Sequence, residues 1–197
     1  MNVVIIGLGY VGLPLAQEAV RVGLQVTGLD IKQATVDGLN AGRSHVDDLS
    51  DADIAAMLAG GFRAVSDVAD LAGIGADVIV ICVPTPLSES DGPDLTAVTA
   101  ATETAATLVR PGATVILEST TYPGTTDEIV RPMLEKASGL TAGIGFHLAF
   151  SPERIDPGNE TYGIRNTPKV VGGVTPACTE AAAAFYEQVC DTVVRAN

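Results

Sequence analysis

Apolar residues in this chain fall into short unbroken runs, separated by longer stretches where they recur every third or fourth position. Asn2–Ile6, Gln25–Leu29, 62–65, 77–83, Thr114–Leu117, His147–Phe150, 169–171 and 192–194 are the short runs, several rich in Val and Ile. Apolar on successive positions rather than alternate ones, they read as strands buried on both faces. Between them lie stretches of helical periodicity. Leu13, Leu15, Ala16, Ala19 and Val20 mark one, and Leu95, Val98, Ala101, Ala105 and Leu108 mark another. Helices are predicted from Gly12 onward, over 33–41, Asp51–Ala59, 94–109, 125–136 and Pro176–Val189, with a brief one over 66–71. Ser50 or Asp51 is the expected cap of the third. Strands alternating with helices predict an α/β fold, a doubly wound parallel sheet covered on both faces.

The breaks in the pattern carry information too. Pro84-Thr85-Pro86 stops the clearest buried strand abruptly, and a polar loop rich in Ser, Asp, Gly and Pro follows over 87–93. The first strand runs straight into Gly7-Leu8-Gly9-Tyr10-Val11-Gly12 and then into a helix. Strand, glycine turn and helix together form the context of a dinucleotide fingerprint. In that reading Gly7 permits the tight turn, Gly9 lets backbone approach a pyrophosphate, and Gly12 lets helix and strand pack closely. The helix N-terminus then faces the phosphates. Asp30 ends the second strand, near the spacing at which an acid meets the ribose hydroxyls of NAD. A carboxylate there would repel the 2′-phosphate of NADP.

Ligands of open α/β sheets bind at the carboxyl ends of strands. Those ends here are Gly7–Gly12, Asp30, 83–86, 118–121 and 151–154. Val83 and Thr85 are placed to line a nucleotide, and Thr120 to hold a hydroxyl or water near the nicotinamide. Glu153 is a candidate acid or base, with Arg154 beside it for an anionic substrate. The alternatives stay open: Thr120 as a turn hydroxyl, and Glu153 with Arg154 as a surface ion pair.

Composition narrows the partners. The 197 residues carry a net charge of −13, with 47% hydrophobic and 18% charged residues. That is a folded chain rather than a disordered one. Its acidity argues against nucleic acid or an anionic membrane as partner. Cys82, Cys178 and Cys190 form no CxxC pair, which suits reduced thiols in the cytoplasm. Cys82 lies inside an apolar run and reads as buried filler; Cys178 and Cys190 flank what reads as a surface helix. His45 and His147 are isolated, and no metal-ligand spacing appears.

Five blocks in order carry a resemblance. Gly7-Leu-Gly-Tyr-Val-Gly-Leu-Pro14, Val83-Pro-Thr-Pro86, Glu118-Ser-Thr120, Tyr122-Pro-Gly-Thr-Thr126 and Ser151-Pro-Glu-Arg-Ile-Asp-Pro-Gly158 resemble the UDP-glucose/GDP-mannose dehydrogenase family. The Ser151 block and Pro168-Lys-Val-Val-Gly-Gly173 are most similar to the branch acting on UDP-N-acetylglucosamine and UDP-N-acetylmannosamine. The UDP-glucose enzymes usually carry an Asn-Pro-Glu-Phe-Leu type block at that place.

The resemblance implies oxidation of a sugar C6 alcohol to a carboxylate in two NAD-dependent steps, for polysaccharide biosynthesis. It implies that Tyr10 and Val11 present backbone to the pyrophosphate, that Asp30 with Lys32 holds the adenosine ribose, and that Thr85 lies against the cofactor. Thr120 would position a catalytic water and Glu153 share the acid–base work, while Arg154 and Ile155 contact the UDP-sugar. The family's catalytic Cys, Lys, Asn and Asp belong to a central helix and a UDP-binding domain that match nothing in residues 1–197. The chain is therefore expected to be an NAD-binding domain alone, inactive by itself, from an enzyme that is a homodimer at full length. A UDP-glucose or GDP-mannose enzyme is the alternative within the family. A β-hydroxyacid dehydrogenase would carry a Gly-Met-Gly type turn and a Ser-x-Gly-Gly block, neither of which is found. An NAD-binding redox sensor without catalysis would be expected to carry a DNA-binding helix pair and a less acidic balance.

Overall fold

The computed structural model describes residues 1–86, 92–153 and 163–196. Among the described residues eight strands form one sheet: β1 Asn2–Ile6, β2 Gln25–Leu29, β3 Arg63–Val65, β4 Val78–Ile81, β5 Thr114–Leu117, β6 His147–Phe150, β7 Lys169–Gly173 and β8 Val193–Arg195. Their spatial order is β3-β2-β1-β4-β5-β6-β7-β8, with the direction of winding reversed between β1 and β4. Helices are α1 Gly12–Arg21, α2 Gln33–Asn40, α3 Asp51–Ala59, α4 Thr96–Leu108, α5 Arg131–Ser138 and α6 Pro176–Val189. A one-turn 3-10 helix spans Val68–Leu71, and a π-helical turn over Thr126–Val130 leads into α5. The sequence-predicted elements are all present, with ends shifted by a residue or two where caps decide. Ser50 caps α3 in a reciprocal box with Asp53. The expected 87–93 loop lies mostly outside the described residues.

Period-two alternation sorts the strand residues between two cores. Val3, Ile5, Val78, Val80 and Ile116 face one side, where α1, α3 and α6 pack. Val4, Ile6, Ile79, Ile81, Val115 and Leu117 face the other, with α4 and α5. Both faces are covered, which is why the strands read as continuous apolar runs. The helix α6 is not a surface helix: Cys178, Ala182, Phe185, Tyr186 and Val189 are buried beneath it. Cys178 sits within α6, and all three cysteines are buried and free. Among the described residues no helix is long and apolar enough to cross a membrane.

Strand register brings the polar strand ends level with one another. Ile6 pairs with Leu29 and Ile81, Ile81 with Leu117, and Leu117 with Phe150. These five residues lie in one row, so Gly7, Asp30, Cys82, Glu118 and Ser151 form the next row, a rim at the carboxyl end of the sheet. One feature departs from the all-parallel expectation. Strand β7 pairs with β6 antiparallel, Phe150 opposite Gly172, and β8 then runs beside β7 in parallel. An antiparallel strand begins where its parallel neighbours end. Lys169, the first residue of β7, is thereby brought to the rim.

Candidate functional site

A cavity of about 490 Å³ runs along this rim. Of the sequence-predicted residues, Gly7, Gly9, Val11, Asp30, Lys32, Val83, Thr85, Thr120 and Glu153 line it. Tyr10 is exposed beside it, and Gly12 is buried at the first turn of α1. Arg154 and Ile155 lie outside the described residues.

The three glycines divide into two kinds. A Cβ on Gly12 would sit 1.9 Å from the Gly7 carbonyl oxygen. One on Gly7, whose φ is +96°, would sit 2.4 Å from the Cys82 carbonyl oxygen. Those two positions are demanded by the chain's own backbone. Gly9 is different, since a Cβ there would meet nothing within 4 Å. Its bareness serves no packing purpose inside the chain and leaves space at the turn for a ligand's close approach. Helix α1 begins at this turn with no side-chain cap and no acid in its first turn. Its first N–H groups therefore offer an anion site.

Asp30 holds the turn in place. One carboxylate oxygen accepts from the Leu8 N–H at 3.1 Å and the other from the Lys32 N–H at 2.9 Å. Beyond it, Ile31 is 90% exposed, and with Val68, Ala97 and Ala100 it lines the same end of the cavity. This apolar slot was not foreseen. A bulky apolar residue directly after the acid, in an otherwise polar stretch, was the available signal.

The loops after β4 and β5 are laced together at the other end. The Ser119 hydroxyl donates to the Val83 carbonyl at 2.7 Å and accepts from the Val83 N–H at 3.0 Å. The Thr85 hydroxyl donates to the Thr120 carbonyl. Thr120 is thus presented, exposed, from a braced loop.

Below Thr120 lies a charged cluster that sequence reasoning missed. Glu118 follows β5 on the α6 side of the sheet and is fully buried. Its carboxylate accepts from the Lys169 ammonium and from the Tyr186 hydroxyl, the latter at 2.5 Å. Lys169 also lies over the Tyr186 ring, 5.1 Å from its centre. Burial pushes the Glu118 carboxyl up, while Lys169 and the Tyr186 hydroxyl pull it back. For Lys169 burial favours the neutral amine, but Glu118 outweighs it and holds the ammonium above its ordinary value. Burial raises the Cys82 thiol well above its usual range, with Lys169 opposing too weakly to reverse it. Cys190 is pushed up to about 12, also by burial. Neither thiol is activated as a nucleophile.

Comparison with known proteins settles the kinship. The sequence profile of the UDP-glucose/GDP-mannose dehydrogenase family, NAD binding domain, matches residues 1–190. The chain belongs to this family. It is 37% identical over 190 residues to UDP-N-acetyl-D-glucosamine 6-dehydrogenase of Pseudomonas aeruginosa, covering 96% of this chain and 44% of that protein. Among solved structures, the UDP-D-ManNAc dehydrogenase of Pyrococcus horikoshii superposes with a TM-score of 0.92 at 34% identity, covering all of this chain and 47% of that one. The GDP-mannose dehydrogenase of Pseudomonas aeruginosa, solved as a ternary complex, reaches 0.86 at 25% identity over 99% of this chain and 46% of that one. The chain thus spans a little under half the length of the relatives it matches. Within this NAD-binding domain, Gly9, the uncapped start of α1 and Asp30 make a site that fits a dinucleotide.

Proposed function

We propose that this chain is the cofactor-binding part of a UDP-N-acetylhexosamine 6-dehydrogenase, which oxidises the sugar C6 alcohol to a carboxylate. The observation that carries the reading is one continuous cavity leading from Asp30, past the open Gly9 turn, to Thr120 and Glu153. The two N-acetylhexosamine relatives, from Pseudomonas aeruginosa and Pyrococcus horikoshii, are 37% and 34% identical, against 25% for the GDP-mannose enzyme. That difference supports an N-acetylhexosamine over mannose.

The residues divide the work by position. The first N–H groups of α1, with the backbone of Tyr10 and Val11, hold the pyrophosphate. Asp30, with Lys32 beside it, takes the adenosine ribose hydroxyls, and the slot between Ile31, Val68 and α4 takes the base. Bound NAD supplies the hydride acceptor. At the far end the Thr120 hydroxyl orients a water, and the Glu153 carboxylate moves the proton that leaves the C6 hydroxyl. Arg154 and Ile155 are assigned to the sugar nucleotide on the resemblance alone. A thiol to trap the aldehyde and a uridine site would come from the rest of a longer enzyme, a homodimer in this reading. The free, buried cysteines suit a reducing cytoplasm.

Calorimetric titration of the chain with NAD tests the cofactor part. Binding should be measurable, and Gly9→Val should abolish it while leaving circular dichroism and melting unchanged. A Gly9→Val chain that still binds NAD would overturn the assignment. For the reaction, NADH absorbance is followed with each UDP-N-acetylhexosamine, UDP-glucose and GDP-mannose. The chain alone should show no sustained turnover. The full-length enzyme should prefer an N-acetylhexosamine and lose kcat in Glu153→Gln.

A further inference from the structure

Side chains hold the loops after β4 and β5 together where the backbone ladder would have continued. Rungs in a parallel pair are evenly spaced. The Thr114 N–H donates to the Asp77 carbonyl at 2.9 Å, and the Glu118 N–H to the Ile81 carbonyl at 2.8 Å. In that register the next rung would run from the Val83 N–H to the Glu118 carbonyl. The Val83 N–H turns instead to the Ser119 hydroxyl at 3.0 Å, and the same hydroxyl donates to the Val83 carbonyl at 2.7 Å. One buried hydroxyl thus engages both backbone polar groups of Val83. Backbone rungs cannot follow at Pro84 and Pro86, which carry no N–H. The next tie is again a side chain, the Thr85 hydroxyl donating to the Thr120 carbonyl. Val83, Pro84, Thr85, Ser119 and Thr120 all line the cavity. They stand beyond β1 and β4, away from Asp30 at the end of β2.

We propose that Ser119 is a positioning residue for the nicotinamide end of the cofactor: its hydroxyl replaces the absent rung, fixes the wall of residues 83–85 against the Thr120 loop, and so gives the nicotinamide ring a rigid seat. This deepens the NAD reading and rests on it. A seat that moves must be ordered each time a ring enters it, and that ordering subtracts from affinity. Without the hydroxyl, the Val83 N–H and carbonyl lose their partner, and the loop shifts to find others. The pyrophosphate and the adenosine are held elsewhere, by the glycine turn after β1 and by Asp30 after β2. Ser119 should therefore matter to ligands that carry nicotinamide and not to those that lack it. A serine that only stapled the loops for stability would affect both kinds of ligand alike, or neither.

The test compares two ligands on the same chain. The parent, Ser119→Ala and Ser119→Cys are titrated by calorimetry with NAD and with ADP-ribose, which lacks the nicotinamide. The parent should bind NAD more tightly than ADP-ribose. In Ser119→Ala the NAD affinity should fall about tenfold or more, while the ADP-ribose affinity stays within about twofold of the parent's. Ser119→Cys keeps a weak donor and acceptor of similar size, and its NAD affinity should fall between those of the parent and Ser119→Ala. This variant keeps the test available should Ser119→Ala fail to fold. Amide hydrogen exchange reads the rung itself, without ligand. The Val83 N–H should be protected in the parent and exchange at least about tenfold faster in Ser119→Ala, with the Glu118 N–H, bonded to Ile81, unchanged. Equal losses for NAD and ADP-ribose, or no loss for either, would overturn the proposal. So would a Val83 N–H that exchanges no faster in the variant, or a parent that binds the two ligands equally. A parent that binds neither ligand would overturn the cofactor reading and this inference with it, a result distinct from all the others.

Discussion

The two ends of the cavity are built from different materials. At the Asp30 end the working surface is backbone: a bare glycine turn, the uncapped start of α1, and one carboxylate whose oxygens accept from Leu8 and Lys32 N–H groups. The turn, the helix start and the carboxylate all come from a contiguous stretch between Gly7 and Lys32. At the Glu153 end the surface is side chains, and those that matter come from far apart. Glu118, Lys169 and Tyr186 are delivered by β5, β7 and α6 and meet only in the folded chain. A ligand's phosphates have the same shape whatever substrate is being oxidised, and a fixed backbone turn suffices for them. Proton transfer needs charges set against one another, and that takes side chains with adjustable neighbours.

The sharpest break of this comparison lies in the glycines. Gly12→Ala forces a Cβ to 1.9 Å from the Gly7 carbonyl, backbone against backbone with no flexible atom to yield. We expect a loss of more than about 4 kcal/mol, or no folded protein. Gly9→Ala meets nothing within 4 Å. Its melting temperature should stay within a degree or two of the parent's while NAD affinity falls at least about tenfold. Thermal melts with calorimetry on both variants check this. If Gly9→Ala unfolds the chain, the backbone end is not divided into packing and binding glycines as described.

The same division decides what could be read before folding. The glycine turn, Asp30 and both helix-covered faces were legible, because local spacing and apolar runs encode them. Thr85 and Thr120 were legible as strand-end residues, though not the hydrogen bond that ties them. Glu118 was legible as a strand-end residue, but not its part in a buried ion pair. Its role depends on the alternation that points it toward α6, and on partners 51 and 68 residues away. Lys169 was hidden by a specific error. In an all-parallel sheet the first residue of β7 would start at the end away from the cavity, and only the reversal at β6 brings it to the rim. Helix α6 misled for a related reason. Its alanines gave no strong amphipathic signal, yet their small size lets it lie close on β6 and β7 with Tyr186 buried.

Breaking the side-chain end should show the opposite pattern, in which a second mutation repairs the first. Lys169→Met leaves the Glu118 carboxyl buried without its cation and should cost about 3–5 kcal/mol. Glu118→Gln with Lys169→Met removes both charges, and most of that loss should return. Urea unfolding of the parent, both single variants and the double completes the cycle. Additive losses would mean that the two residues do not act as a pair.

Cofactor choice sharpens the Asp30 end. The two backbone hydrogen bonds hold the Asp30 carboxylate in place, so a 2′-phosphate meets a fixed like charge. NADP should bind about 100-fold more weakly than NAD, roughly 2–3 kcal/mol, with Lys32 limiting the penalty. Asp30→Ser should narrow the ratio mainly by strengthening NADP. Equal affinities in the parent, measured by calorimetry, would remove Asp30 from its assigned role.

The smallest effect is the response to alkali, and it belongs to the side-chain end. Burial raises the Cys82 and Cys190 thiols and the Tyr186 phenol above their ordinary values, and Glu118 raises the Lys169 ammonium. A group whose folded value is raised binds its proton more tightly in the folded chain. Its stabilisation is complete below the unfolded value and is lost as pH rises toward the folded one. The unfolded values are 9.0 for the thiols, 10.0 for the phenol and 10.5 for the ammonium. Stability should therefore hold to about pH 8.5 and then decline, with the two thiols first. At pH 10 each thiol should account for a loss of about 1–1.5 kcal/mol, or a few degrees in Tm for a chain of this length. Cys82→Ala should flatten about half of the early part of the decline, whatever it costs in packing, because it removes one of the two groups that titrate first. Gly9→Ala, at the other end of the cavity, should leave the slope as it is. Melting curves at half-unit pH steps, compared as slopes rather than absolute values, separate the two. A parent chain whose Tm stays flat to pH 10.5 would mean that these buried protons are not held as the cluster's burial requires.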